Sequence, residues 1–401
     1  MDKIRLWLIR KYEETVSSIA FLPAVISLAF LVIAILIFSF DVSETGKQLK
    51  SELPFLSLKD TSTARSILGA VAGGVISLTV FSFSMVMIVL NQAASQMSNR
   101  VLDKLIGNRF QQIVLGFYIG TIVYTFFIFS TIRDTESRFQ LPSISIFLLT
   151  VLTVIDIFIF IYFLHFITQS VKYDVIIQRI KSSTFEGMRK FCSVTTEMNE
   201  EVKFAARSVI KANTSGIFEG FDQKEIIDFC EENACSLQAL HPMGTFILRG
   251  QPLMECSKSL SEDEMTEALQ GVILSDQESV TRNYEYGLRQ LSEIALKALS
   301  PGINDPGTAI ISLRALIDLF QYRGRNFPPH TLAKEDSLHV LYRKELSFDQ
   351  LFEIIIFPIW DYGKKDRMLG LEFQTLLKQL SLILSSKPVF DLLKKVQSQT
   401  Y

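Results

Sequence analysis

Asp156 is the one charged residue between Gln140 and Gln169, in a stretch otherwise dominated by Ile, Leu, Phe, Val and Thr. An acid inside so long an apolar run is costly in a bilayer and is a functional-site candidate by default, one reading being an ion or proton site. The alternative is a neutral acid hydrogen-bonded to a Ser or Thr of a neighbouring helix. His165, near the end of the same run, reads as an interfacial polar anchor.

A second chemical signal lies in 66–91, where Ser66, Gly73, Ser77, Ser84 and Asn91 follow one another at seven, four, seven and seven residues. That spacing places them on one stripe of a helix. Gly69 and Gly73 form a G-x-x-x-G pair, which lets another helix backbone come close. The stripe reads in two ways: as one side of a water-filled path between subunits, or as a close-packing face whose hydroxyls bond their own backbone. An uncharged, amide-rich segment follows, from Asn91 to Asn99. If the helix continues into it, it forms a polar extension at the mouth.

The third signal is Ser300-Pro301-Gly302-Ile303-Asn304-Asp305-Pro306. The preceding helix stops here. Asp305 is a good N-cap, with Pro306 in the first helical position of a helix running to 320. The corner reads as an anion site at a helix N-terminus or as a rigid turn held by its caps, because Asp305 itself would occupy the free N–H groups. Tyr286, Arg289 and Glu293 can face it from the helix before.

Other chemistry is missing. There is no P-loop, no G-x-S-x-G, no H-E-x-x-H and no dinucleotide glycine signature. Cys192, Cys230, Cys235 and Cys256 form no C-x-x-C, and His241 is not spaced for a zinc finger. We therefore expect no enzyme activity, no metal and no cofactor. A formal net charge of -2 argues against a nucleic-acid partner.

The elements that must carry these residues are mostly membrane helices. Crossing a bilayer takes about 20 apolar residues as helix, and four stretches qualify: 19–40, 66–90, 111–132 and 142–167. The first is too long for a signal peptide and lacks a small-residue cleavage site. Orientation follows the basic residues of the short loops. Lys3, Arg5, Arg10, Lys11, Arg100, Lys104, Arg109, Lys172, Arg179 and Lys181 fall on one side. Lys47, Lys50, Lys59, Arg65, Arg133 and Arg138 fall on the other. Ten against six puts both termini in the cytosol, and Asp41, Glu44, Glu52 and Asp60 in an external loop.

From about Val171 charges become frequent and long apolar runs stop. The expected organisation is a transmembrane domain over 1–170, a helical extension with a small β unit over 171–260, and a mainly helical domain over 261–401. Helix is expected over 176–207, prolonging the fourth span, and over 222–234. The pattern G-x-F-x-x-x-G-x-P-L at 244–253 suggests a small β-barrel-like unit with a tight turn at each Gly. Residues 261–299 read as helix with a break near 271–277. Leu288, Leu291, Ile294, Ala295 and Ala298 form one buried stripe. A strand is expected over 337–343, then two or three amphipathic helices over 348–393, interrupted near 362–363 and 385–388. The fold class is membrane α-helical, followed by a cytosolic α+β region.

Several stretches resemble the DUF2254 family of bacterial predicted membrane proteins. They are Ala298-Leu299-Ser300-Pro301-Gly302-Ile303-Asn304-Asp305-Pro306; Ser95-Gln96-Met97-Ser98-Asn99-Arg100-Val101-Leu102 with Gln112-Ile113-Val114-Leu115-Gly116; Gly244-Thr245-Phe246 with Gly250-Gln251-Pro252-Leu253; and Tyr286-Gly287-Leu288-Arg289-Gln290-Leu291. The chain departs from the family pattern at Asn99, where Pro is usual, and at Arg282-Asn283, where Gln-Asp is. The resemblance covers roughly residues 15–380 and implies a multi-pass protein of the bacterial inner membrane with a cytosolic domain. It implies no activity.

The resulting expectation is a homo-oligomeric, channel-like or transport protein in the lipid bilayer, with an ion or small molecule as its ligand and a cytosolic regulatory domain. The other reading is a non-conducting, membrane-anchored sensor or scaffold whose cytosolic domain binds a metabolite or protein.

Overall fold

The structure, a computed structural model, describes residues 20–53, 60–96, 109–132, 141–170, 172–197, 205–276, 278–280, 282–334 and 337–399. Its contacts divide the chain into two units, Met1–Lys172 and Tyr173–Tyr401.

The first unit holds four helices long and apolar enough to cross a membrane. They are α1 (Phe21–Val42), α3 (Thr61–Gln96), α4 (Arg109–Thr131) and α5 (Ser143–Ser170), with a short α2 (Glu44–Glu52) after the first. Their outward faces carry Leu28, Leu36, Val80, Phe83, Phe158 and Ile161, all exposed. An apolar outer face suits hydrocarbon, and the helices satisfy their own backbone groups there. The amide-rich segment does continue the second span as helix to Gln96. At 36 residues α3 is about 54 Å long, well beyond a hydrocarbon core of about 30 Å.

α1 packs mainly on α4. Contact is possible because Gly116 and Gly120 present bare backbone to Pro23, Ile26 and Phe30. At the far end of α1, Asp41 is fully buried and binds Lys50 at 2.6 Å. Its other oxygen accepts from the Ser145 N–H at 2.9 Å and the Ser145 hydroxyl at 3.0 Å. A carboxylate at the first turn of α5 is favoured by the helix dipole. Asp60 likewise opens α3, accepting from the Thr63 N–H at 3.0 Å.

The second unit opens with α6 (Tyr173–Phe191). The helix expected to run to 207 ends at Phe191, because the chain turns extended and Val194 pairs with Phe327. Two open sheets follow. β1 (Ser208–Lys211), β5 (Pro252–Cys256), β3 (Leu237–Ala239), β8 (Leu341–Tyr342) and β7 (Thr331–Leu332) lie side by side in that order. β4 (Phe246–Ile247), β2 (Gly216–Phe221) and β6 (Val272–Ser275) make the other sheet.

The expected barrel-like unit is therefore incorrect. Its two halves part: β4 pairs with β2, whereas β5 pairs with β1 and β3. A barrel requires edge strands to meet, and in both sheets the end strands are separate. β6 also occupies the break expected inside 261–299, and the strand expected at 337–343 is reduced to the two residues of β8.

The short helix α7 (Gln223–Glu232) is capped by Asp222, which accepts from Lys224 and Glu225. Its Ile226 and Phe229 join Ile210, Phe218, Leu237 and Met254 in the core of this part. α8 (Glu262–Ala268) begins with a Ser261–Glu264 capping box.

The helical remainder comprises α9 (Tyr284–Ala298), α10 (Pro306–Arg323), α11 (Phe348–Gly363), α12 (Arg367–Ser381) and α13 (Lys387–Gln397). Leu288, Leu291, Ile294, Ala295 and Ala298 are all buried, as their spacing requires. α9 packs on α10 and α11, which bury Leu313, Leu316, Phe320, Phe352 and Ile355.

Candidate functional site

Four buried polar side chains converge inside the membrane unit. Asp156 on α5 is 1% exposed, and its Oδ2 has no hydrogen-bond partner among the described residues. The hydroxyls of Thr121 and Tyr118 on α4 and of Ser82 on α3 are equally buried and equally unpaired there. Thr121 approaches the Asp156 carboxyl and Ser82 approaches the Tyr118 phenol, without either pair reaching hydrogen-bond geometry. Orphaned polar atoms in low dielectric are expensive, so such a group calls for a functional explanation. Tyr118 and Ser82 also line a cavity of about 260 Å³, which reaches Gln111 and Gln112 in the first turn of α4 past Val86, Val114 and Leu115.

The stripe on α3 lies on another face. Ser66, Gly69, Gly73, Ser77, Ser84 and Asn91 are all exposed. A Cβ built on Gly69 or Gly73 meets nothing within 4 Å among the described residues. Ser77 donates to the Gly73 carbonyl at 2.8 Å and Ser84 to the Val80 carbonyl at 2.8 Å. Among the described residues the close packing allowed by G-x-x-x-G is thus not made at 69–73. It is made at Gly116 and Gly120.

In the second unit the corner is a tightly capped turn. Asp305 accepts from the Thr308 N–H at 3.1 Å and the Thr308 hydroxyl at 2.6 Å. Asn304 sits at φ 49° and donates its N–H to the Ser300 carbonyl at 2.8 Å. The Ser300 hydroxyl turns back to the Lys297 carbonyl at 2.6 Å. Pro306 opens α10 and Pro301 is exposed. Arg289 does not join them. It lies nine residues before the end of α9, about 13 Å along the axis, where it pairs with Glu278. There its guanidinium lies against Gly244, which has φ 84°. Two of the stretches noted in the sequence thus meet at Gly244 and Arg289.

A cluster that no spacing announced surrounds the start of α9. Glu285 is buried with both carboxylate oxygens unpaired among the described residues. Burial, and then the neighbouring Glu345 charge, pushes its carboxyl up to about 8. Burial raises Glu345 as well, although Arg343 binds it at 2.5 Å. Arg323, also buried, donates to the Tyr284 hydroxyl at 3.1 Å and the Leu346 carbonyl at 3.0 Å. Cys192 beside it is pushed up to about 11 by burial and is an inert thiol. Glu219 accepts from the Ser279 N–H at 2.6 Å and from Arg282 at 2.9 Å. Glu219, His241, Arg282, Arg343, Lys344 and Glu345 face a cavity of about 120 Å³. Asn283, next to Arg282, N-caps α9 through the Glu285 N–H at 3.0 Å.

Ser82, Tyr118 and Thr121 escaped sequence reading, yet a signal existed. Tyr118 and Thr121 stand three apart on one face of the third span, and Ser82 falls on the side of its helix opposite the stripe. The acids and arginines of the second unit come from separate segments, and no local pattern joins them.

The model of the family described as "Predicted membrane protein (DUF2254)" matches residues 16–379. The chain belongs to this family. Among curated relatives, the uncharacterized protein MT1328 of Mycobacterium tuberculosis is 25% identical over 259 residues, covering 62% of this chain and 50% of the relative. The uncharacterized protein Mb1321c of Mycobacterium bovis is 24% identical over the same length and shares. The matched region therefore spans about half the length of these relatives. No solved structure matches. Family membership and the four apolar helices make this a membrane protein. The family stretch at 97–102 lies outside the described residues.

Proposed function

We propose that this DUF2254 protein is a homo-oligomeric, channel-like membrane protein, with the stripe of α3 at the subunit junction and the Tyr173–Tyr401 unit as its regulator. The observation that carries the reading is the outward position of Ser66, Gly69, Gly73, Ser77, Ser84 and Asn91. Facing lipid, a narrow small-residue strip forgoes packing that large apolar side chains would make. Facing a second copy, it lets helices approach closely, or leaves room for a water-lined path. The location that fits is the bacterial inner membrane with both termini in the cytosol, from the basic-residue bias. An ion or small polar molecule is the species carried, and the reading calls on no catalytic step.

Single cysteines at Ser77 and Ser84 test the junction. Oxidation of the full chain in membranes should give disulfide-linked dimers from these positions and not from Phe158, which is exposed on α5. Equal cross-linking at all three, or none at any, contradicts the reading.

A second reading has its own observation. The cavity bounded by Glu219, Arg282, Arg343, Lys344 and Glu345 offers paired charges of both signs. That suits a sensor binding a charged metabolite without conduction. It is favoured if the full chain in nanodiscs is monomeric and retains a small molecule.

A further inference from the structure

An ionised carboxylate in hydrocarbon needs a cation or several strong donors. Asp156 has neither among the described residues. The basic residues of the four spans lie at their ends, Arg65 in α3 and Arg109 in α4. Neutrality at Asp156 therefore requires a bound proton or a bound metal cation. A metal cation wants about six oxygen ligands. Here Thr121, Tyr118 and Ser82 add three hydroxyls strung over two helices. α4 and α5 run without interruption, so no backbone carbonyl is released to complete a shell. Among the described residues no three His, Cys, Asp or Glu side chains gather to hold a metal. The proton is the ligand that this oxygen set suits.

We propose that Asp156 is an exchangeable proton-binding site within the membrane, loaded and unloaded through Thr121, Tyr118 and Ser82 into the cavity beneath Gln111 and Gln112. Each hydroxyl both donates and accepts. When the site empties, the Asp156 O–H bond breaks and Thr121 takes that proton while passing its own to Tyr118. Tyr118 passes its own to Ser82, and Ser82 gives its own to a water in the cavity, which leaves as hydronium. Bridging waters close the gaps between the hydroxyls. The residue left behind is the carboxylate, and reloading reverses every step.

Tyr118 is the titratable group that faces Asp156 from α4. Asp41 of α1 and Tyr124 of α4 are engaged with Ser145, eleven residues before Asp156 on α5. His165 is nine residues beyond it and exposed. The inference goes beyond the oligomer reading and does not rest on it, since every group belongs to one chain.

The test uses infrared difference spectroscopy on the full chain in nanodiscs, between about pH 5 and about pH 9, where an unperturbed carboxyl would show no protonated form in the upper half. A protonated-carboxyl band that fades as pH rises should lose its Asp156 part in Asp156→Asn, while the part owed to Glu285 remains and is removed by Glu285→Gln. Tyr118→Phe should keep the band and slow its exchange in deuterated buffer. An apolar carbodiimide, which modifies protonated acids, should label Asp156 in the wild-type chain at the low end and fail at the high end. A band and labelling that ignore pH would make Asp156 a permanently neutral packing group. Protection by sodium at fixed pH would make the ligand a metal cation. Either result overturns the proposal, and neither bears on the α3 junction.

Discussion

Gly120 of α4 lies so close to Phe30 of α1 that a Cβ on it would stand 2.6 Å from the ring. Among the described residues Gly73 of α3 has no such neighbour. One glycine makes a close contact inside the bundle, and the other lies where the proposed junction would place a second copy. Overpacking a tight contact costs about 1–3 kcal/mol. Gly120→Leu should lower the unfolding temperature in detergent, whereas Gly73→Leu should leave it unchanged and weaken assembly. Equal thermal losses would contradict the distinction.

Conduction should depend on the same outward face. Ser77→Leu or Ser84→Leu in proteoliposomes is expected to abolish ion flux while the chain still folds, because among the described residues each hydroxyl bonds its own helix. Unchanged flux would remove α3 from the path.

Glu285 gives the second unit a pH dependence with a definite sign. Its carboxyl titrates at about 8 in the folded chain, against an ordinary 4.5. Between those values the unfolded chain has lost the proton and the folded chain keeps it, so stability falls as pH rises from about 4.5 to about 8. The slope is at most about 1.4 kcal/mol per pH unit. Denaturation midpoints of the full chain should fall across that window and flatten above it. Glu285→Gln, a neutral isostere, should flatten the curve; an unaltered curve would assign the effect elsewhere.

Gly244 is held at φ 84° against Arg289. Gly244→Ala should cost about 1–3 kcal/mol in denaturation. Pairing it with Arg289→Ala should recover the steric part and leave the backbone part. Full additivity of the two losses would show that the side chains do not meet.

Asp305 acts as a cap. Asp305→Ala should cost about 1 kcal/mol, and Asp305→Asn much less. Equal losses would point to a role for its charge instead.

Continuous patterns were legible in the sequence. The four apolar runs, the Asp305–Pro306 helix start and the α9 stripe each depend on residues a few positions apart. The second span's extension was legible too, but only as an alternative. What failed depended on partners far along the chain. The G-x-F and G-x-P-L halves looked like one β unit, yet each strand took its partner from elsewhere: Gly216 for Ile247, and Ser208 for Cys256. Gly69 and Gly73 stand out by their G-x-x-x-G spacing. Gly116 and Gly120 carry the same spacing, and it is they that make the contact; spacing alone does not say which pair finds a partner within the chain. Asp156 was visible as an acid in an apolar run; its companions became recognisable only when three helices brought them together.

The central claim is that copies of this chain meet along α3. Native mass spectrometry of the full-length protein released from lipid nanodiscs tests it most directly. The account predicts a closed ring of three or more subunits, reduced to smaller species by Gly73→Leu. A monomer, or a ring indifferent to that substitution, would contradict it.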